Sequence, residues 1–312
     1  MGAVVTGGCG FIGSHLVDAL VGRGESVSVI DNLSTGSEAN IRGPLRDRGV
    51  ALRKADLLHE GWEDLFAGAT RVYHLAADPD VRMSGIHPEN VIRSNIQATA
   101  RVLEAMRRYD VPEIVFTSTS TVYGEASVIP TPEDYAPMEP ISVYAASKLA
   151  CEALISAYCH TYGMQGWVFR FANIIGERSN HGVIWDFARK LRENPRSLEI
   201  LGDGRQTKSY LEVHECVRAM LYAVDHAKDT CNVLNIGSED WIDVKSIADI
   251  VVALFGLSGV AYRFTGGERG WVGDVPRMLL SIERLKGLGW KPVMGSRKSV
   301  MAAAEAVTRD RP

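Results

Sequence analysis

The chain lacks a membrane span: no apolar run approaches the ~18–20 residues needed to cross a bilayer. It has no excess of positive charge. Its 34 Lys and Arg are outnumbered by 38 Asp and Glu, giving a net charge of −4. Neither nucleic acid nor an anionic membrane is expected as a partner. Cysteine is scarce, with five residues: Cys9, Cys151, Cys159, Cys216 and Cys231. Their number is odd and no CxxC or Cys/His cluster appears. A disulfide framework and a structural metal are therefore not expected, and reduced thiols in a cytoplasmic chain are. Internal repeats and low-complexity linkers are also missing. What remains is an ordinary globular composition, 46% hydrophobic and 23% charged over 312 residues, with room for one large domain or two medium ones.

Two short patterns are read as chance. Met1-Gly2 with Thr6 has the myristoylation spacing, but Gly2 to Thr6 reads as a buried strand. Asn32-Leu33-Ser34 has the form of a glycosylation sequon, but no signal-peptide pattern precedes it.

Ala3-Val4-Val5 is a short apolar run that breaks at Gly7-Gly8-Cys9-Gly10. From Phe11, apolar residues return at helical spacing (Ile12, Leu16, Leu20) until Gly22 and Gly24. Val27, Val29 and Ile30 form a second strand that stops at Asp31. Strand, Gly-rich turn, helix and strand within about thirty residues begin a parallel α/β sheet. The alternation continues through strands at 50–52, 72–75, 114–116 and 167–169, with helices expected near 88–108 and 142–162. After residue 174 loops lengthen and strands become brief, at 198–201, 233–236 and 262–264. The expectation is an α/β chain. A Rossmann-type doubly wound parallel sheet spans 1–173 and a smaller α/β substrate-binding domain spans 174–312. Some later segments should pack back onto the first domain.

Gly7, Gly10 and Gly13 form a GxxGxxG. The first permits a tight turn, the second lets backbone approach a pyrophosphate, and the third lets helix and strand pack closely. The following helix directs its amide dipoles at the anion. Asp31, at the end of the next strand, can accept hydrogen bonds from the ribose 2′- and 3′-hydroxyls and repels a 2′-phosphate. No Arg or Lys lies in Asn32 to Gly36. The cofactor expected is NAD rather than NADP, tightly bound.

Tyr144-Ala-Ala-Ser-Lys148 is a YxxxK whose ends share a helix face. An ammonium beside a phenol favours phenolate, which makes Tyr144 a candidate base for a sugar hydroxyl. Thr119 follows the strand 114–116, at the carboxyl edge where open α/β sheets bind ligands.

Five motifs stand in one order and spacing: Thr6-Gly-Gly-Cys-Gly-Phe-Ile-Gly-Ser-His15, Asp31-Asn-Leu-Ser34, His74-Leu-Ala-Ala77, Ser118-Thr-Ser-Thr-Val-Tyr-Gly124 and Tyr144-Ala-Ala-Ser-Lys148. Together they resemble the extended short-chain dehydrogenase/reductases over nearly the whole chain, and within them most resemble the UDP-galactose (UDP-glucose) 4-epimerase branch. The resemblance implies catalytic roles for Thr119, Tyr144 and Lys148, the last two also touching cofactor. It implies pyrophosphate contacts at Phe11 and Ile12, and adenosine contacts at Asp31, Asn32, Ser34, Thr35 and Gly36, with Asp56 and Leu57 beside the adenine. Leu75, Ala76 and Ala77 would line the nicotinamide side, with Asn95 on the helix behind.

For the substrate it implies Asn173, His181 and Val183 around the nucleotide. Gly202 to Lys208 resembles GDGxQxR, with Lys208 replacing the diphosphate-binding Arg. Gly273-Asp274-Val275 resembles RxGDV, with Trp271 at the Arg position and Arg269 two residues earlier. Met278 falls where the family gates N-acetylated sugars. Related 4,6-dehydratases carry an Asp-Glu pair after the catalytic Thr. Here Ser120 and Thr121 stand there, which leaves oxidation at C4 and its reversal. The implied activity is NAD-dependent C4 epimerisation of a UDP-hexose by a homodimer pairing through the helices near 88–108 and 144–162. A UDP-uronic acid 4-epimerase or decarboxylase, and more remotely a non-catalytic dinucleotide sensor, remain as alternatives.

Overall fold

The valines and isoleucines of the first half are buried whichever way they point along their strands, as a parallel sheet covered on both faces requires. The computed structural model describes residues 2–46 and 49–309. Strands β1 (Gly2–Thr6), β2 (Ser26–Asp31), β3 (Val50–Lys54), β4 (Ala69–His74), β5 (Glu113–Thr119) and β6 (Gln165–Phe171) join Cys231–Ile236 in a seven-stranded sheet. From one edge the order is β3-β2-β1-β4-β5-β6 and then Cys231–Ile236. β1 runs parallel to β2 and β4, β2 to β3, and β4 to β5. Chain order reverses between β1 and β4, and ligands of doubly wound sheets bind beyond the strand ends at such a switch point. No helix among the described residues is long and apolar enough to cross a membrane.

The chain divides into two compact units: Met1–Val122, Pro140–Arg170 and Leu221–Leu234 in one, Tyr123–Glu139, Phe171–Met220 and Asn235–Pro312 in the other. Trp62, Phe66, Leu103, Met106, Phe116 and Ile155 pack in the core of the first. Phe187, Leu198, Ile200, Ile247 and Val300 pack in the core of the second. The strand expected at 233–236 spans Cys231–Ile236 and lies at the edge of the large sheet. Its position in the sequence carried no sign of that, because sheet membership is decided by long-range pairing.

Two helices matter most for the site. The first, α1 (Phe11–Gly22), follows the Gly-rich turn. The second, Val143–Tyr162, starts at Ser142, whose hydroxyl caps Ala145 N at 3.1 Å, and stops at Gly163 with φ +70°. Its twenty residues span roughly 30 Å. The helix expected over 88–108 is interrupted: Pro88–Val91 and Ala98–Arg108 flank a π-helical stretch, Ile92–Gln97. That wide turn carries Asn95, 2% exposed, whose amide bonds Asp78 and Ser147. Such turns often mark functional positions.

β1 and β4 are tied to the helix Ala98–Arg108 through one imidazole. His74 Nδ1 lies 2.7 Å from Thr6 Oγ1 and Nε2 lies 2.9 Å from Thr99 Oγ1. A neutral ring donates with one nitrogen and accepts with the other. Burial, and secondarily the charge of Lys148, press its pKa down to about 3. Unfolded, the ring titrates near 6.5. Between these values the unfolded chain binds a proton that the folded chain refuses, so stability falls as pH drops below about 6.5, by up to about 1.4 kcal/mol per pH unit. Thermal unfolding between about pH 6.5 and 5, above the carboxylate range, should show this slope in the natural chain. His74→Gln should flatten it. An unchanged slope in the variant would mean that another group is responsible.

Candidate active site

The Gly-rich turn is built by steric exclusion. Gly7 has φ +72°, and a Cβ there would meet Ala76 N at 2.7 Å. A Cβ on Gly13 would sit 2.1 Å from the Gly7 carbonyl oxygen. Gly10, the residue before α1, caps no helix amide with a side chain, and the first turn contains no acidic residue. A Cβ on Gly10 would meet only Gly7 O, at 3.2 Å. The amide end of α1 is thus bare backbone beside half-buried Phe11 and Ile12, a form suited to a pyrophosphate.

Asp31 is 8% exposed, and its carboxylate fixes two backbone segments. Oδ2 accepts from Cys9 N and Oδ1 from Leu33 N, each at 2.8 Å. Each oxygen retains a lone pair for a further hydroxyl. Gly36 lies so close to the turn that a Cβ would sit 2.7 Å from the Cys9 carbonyl carbon. Asn32 accepts from Ser34 N at 3.0 Å and reaches Asp56 at 3.4 Å. Ser34 and Thr35 are exposed, whereas Leu57 is buried. Leu75, Ala76 and Ala77 leave β4 half-buried, with Leu75 N bonded to Thr6 O at 3.1 Å. Asn95 lies behind this loop with its amide committed to Asp78 and Ser147. It braces the loop against the helix Val143–Tyr162.

Thr119 stands at the end of β5 and Tyr144 in the first turn of that helix, and the Thr119 hydroxyl favours the phenolate form of Tyr144. Thr119 Oγ1 also lies 3.0 Å from Thr121 Oγ1. One sequence expectation is corrected here. The Tyr144 pKa is not lowered in this geometry; desolvation dominates and pushes the phenol up to about 12. Lys148 is itself withdrawn from water. Its Nζ is buried, donates to Thr117 O at 2.7 Å and sits 4.4 Å from the centroid of the Phe116 ring. Burial lowers its own pKa to about 8.

In the second unit, Asn173 donates from N and Nδ2 to Ser209 O, both at 3.1 Å. His181 is exposed, 3.1 Å from Asn180 Oδ1, and Val183 opens a helix packed on the second core. Lys208 Nζ meets Asp274 Oδ1 at 2.5 Å and lies 5.3 Å from the centroid of a Trp271 ring. Arg269 pairs with Glu125 and donates to Asp274 O at 2.7 Å. Met278, 9% exposed, pairs with Lys208 in a short parallel ladder. Sequence reasoning missed Glu125, Ser118, Glu152 and Arg170, whose partners lie far off along the chain. Only Glu152 left a local sign, four residues after Lys148 and eight after Tyr144.

Residues 3–237 match the family model described as the NAD dependent epimerase/dehydratase family. The chain belongs to this family. Among solved structures, a UDP-galactose 4-epimerase is 41% identical over 99% of both chains, with a TM-score of 0.88. The UDP-glucuronic acid 4-epimerase of Bacillus cereus, in complex with UDP-glucuronic acid and NAD, is 27% identical over 99% of both chains, with a TM-score of 0.90. A UDP-glucose 4-epimerase of Mycolicibacterium smegmatis is 34% identical over 230 residues, 72% of this chain and 73% of that one. The Gly-rich turn and Asp31 are the features of this chain that suit the dinucleotide of its family.

The steric argument is testable. Gly13→Ala must push α1 away from Gly7, and overpacking of this kind costs about 1–3 kcal/mol. The variant should melt several degrees lower and lose NAD on gel filtration. Gly10→Ala should melt near the natural temperature. Equal behaviour of the two variants would refute the close-packing role of Gly13.

Proposed function

We propose that the chain interconverts UDP-galactose and UDP-glucose by epimerisation at C4, using a tightly held NAD. One observation carries the reading: the Thr119 hydroxyl acts on Tyr144 at the end of β5, and the next two residues are Ser120 and Thr121, neither of which ionises. A dehydratase needs an ionisable acid and base where those two residues stand.

The turn through Gly7, Gly10, Phe11, Ile12 and Gly13 would hold the pyrophosphate. Asp31, Asn32, Ser34, Thr35, Gly36, Asp56 and Leu57 would hold the adenosine end, and Leu75, Ala76, Ala77 and Asn95 would shape the nicotinamide side. NAD, when bound, supplies a hydride acceptor and donor for C4. Tyr144 takes the proton of the 4-hydroxyl and later returns it. Thr119 bonds the oxygen at C4, and Lys148 supplies the positive charge that the desolvated phenol needs in order to ionise. Ser120 and Thr121 would supply no ionisable group to expel a C6 hydroxyl, which leaves oxidation at C4 and its reversal. Asn173, His181 and Val183 would hold the nucleotide, with Lys208 and Arg269 on the diphosphate. Each of these cations must exchange a carboxylate partner for phosphate. Anchoring away from C4 leaves the sugar free to turn over. The flexible Met278 favours plain hexoses over N-acetylated ones.

The similarity to a UDP-glucuronic acid 4-epimerase supports a second reading, with a C6 carboxylate on the sugar. A homodimer would pair through the helices near 88–108 and 144–162. Of the apolar residues considered for it, Ile92 is exposed and Val91 buried, while Leu154 and Tyr158 pack on the first core.

The test is product analysis with a panel of UDP-sugars. UDP-galactose should give a product of identical mass, a mixture should be reached from either side, and deuterium at C4 should stay at C4. A product lighter by one water or by carbon dioxide, or turnover of uronic acids alone, overturns the hexose epimerase. Tyr144→Phe should retain fold and NAD but lose about 10²–10⁴-fold or more in kcat. Unchanged turnover would rule out Tyr144 as the base.

A further inference from the structure

Tyr144, Lys148 and Glu152 stand four residues apart on the helix Val143–Tyr162 and so share one face. A lysine and a glutamate at this spacing ordinarily pair. A carboxylate is also a stronger partner for an ammonium than a carbonyl is. Here the two do not pair. Lys148 Nζ donates to Thr117 O, at 2.7 Å. The Glu152 carboxylate is taken from the other side by Arg170 of β6. Nε lies 3.1 Å from both oxygens and Nη2 lies 2.7 Å from Oε2. Ser118 Oγ donates to Oε1 as well. Lys148, Glu152, Arg170 and Ser118 are each at most 6% exposed, so no water competes for these bonds.

We propose that Arg170 and Glu152 are positioning residues for the base: the guanidinium fork of Arg170 holds the carboxylate away from Lys148, and this keeps the ammonium on Thr117 O, two residues before Thr119 in β5. The inference rests on the reading of Tyr144 and Lys148 given above. Its physical content is a competition. The planar fork matches both oxygens of a carboxylate, whereas a lysine ammonium offers a point charge. Arg170 therefore wins Glu152, and the pair is neutral as a unit.

Among the described residues, Glu152 acts on Lys148 even in the natural chain and raises its pKa, against the larger opposite effect of burial. Cys151 is on their own helix, with its thiol raised by burial. His74 on β4 is kept neutral by burial. Asp78 follows β4 and opposes ionisation of Tyr144. β5 contributes the Phe116 ring and the Thr119 hydroxyl. Without Arg170, Glu152 would be the only carboxylate within one helical turn of Lys148. It would draw the ammonium away and cancel the charge that helps the phenol ionise.

The test reads Lys148 directly, by carbon NMR titration of the full chain carrying ¹³Cε-lysine, with the resonance assigned by its loss in Lys148→Met. Arg170→Met should raise the Lys148 pKa by about one unit or more, because a buried carboxylate is released beside it. Glu152→Gln should lower it, because one negative charge near Lys148 is then removed. The double variant Glu152→Met/Arg170→Met removes both charges. It should fold, as buried pairs replaced by apolar residues usually do, and should return the pKa to within about half a unit of the natural value. Should Arg170→Met not accumulate as folded protein, Arg170→Lys keeps a cation but loses the fork. It should shift Lys148 upward by a smaller amount. In turnover, the single variants should lower kcat with KM within about two-fold, and the double variant should recover most of the loss. A clamp with only a structural role would change the melting temperature and leave the Lys148 titration fixed in every variant. That result overturns the proposal. If the natural chain turns over no UDP-sugar, the proposed function falls, and the titration still decides this one.

Discussion

The first unit depends on the approach of one helix to one turn. Because Gly13 has no side chain, the start of α1 rests against the Gly7 carbonyl, nearer than any Cβ would permit. The contact leaves the amide end of the helix bare. It also sets the turn where the Asp31 carboxylate can reach Cys9 N. Asp31 in turn fixes Leu33 and the loop that follows. The Gly-rich turn and the Asp31 carboxylate are thus one mechanical assembly, and displacing the helix would disturb both.

Burial has a second, chemical effect at the end of β5. Desolvation of half-buried Tyr144 and of buried Lys148 makes both groups prefer their neutral forms, with the phenol pushed up to about 12 and the amine down to about 8. Under the proposed function the site would not run on the intrinsic acidity of its tyrosine. It would depend on where positive charge is held, and Lys148 is held by Thr117 O next to an Arg–Glu pair.

Much of this was legible in the sequence wherever the signal is local. The alternation of strands and helices, Gly7, Gly10 and Gly13, Asp31, Thr119 and the Tyr144–Lys148 spacing are all read from neighbours within a few residues. The remainder involves pairing across long stretches of chain. Arg170 meets Glu152 from a different strand, Arg269 meets Glu125 from 144 positions earlier, and Cys231–Ile236 joins the large sheet late in the chain. The π-helical stretch around Asn95 was hidden for another reason. Apolar periodicity averages over several turns and does not register one extra residue in a single turn. The desolvation of Tyr144 was hidden because spacing shows proximity and not the surrounding medium.

The pairing of Lys208 with Asp274 and of Arg269 with Glu125 has a kinetic consequence. A cation whose counter-charge is already in place projects little field into solution, so these loops cannot draw an anion from a distance. Under the proposed function a nucleotide diphosphate gains them only at contact, by displacing carboxylates that stay nearby and can reclaim the cations when it leaves. Such a site captures its ligand at a rate nearly indifferent to salt and lets go of it readily. That suits a reaction whose product differs from its substrate only in the configuration of one carbon.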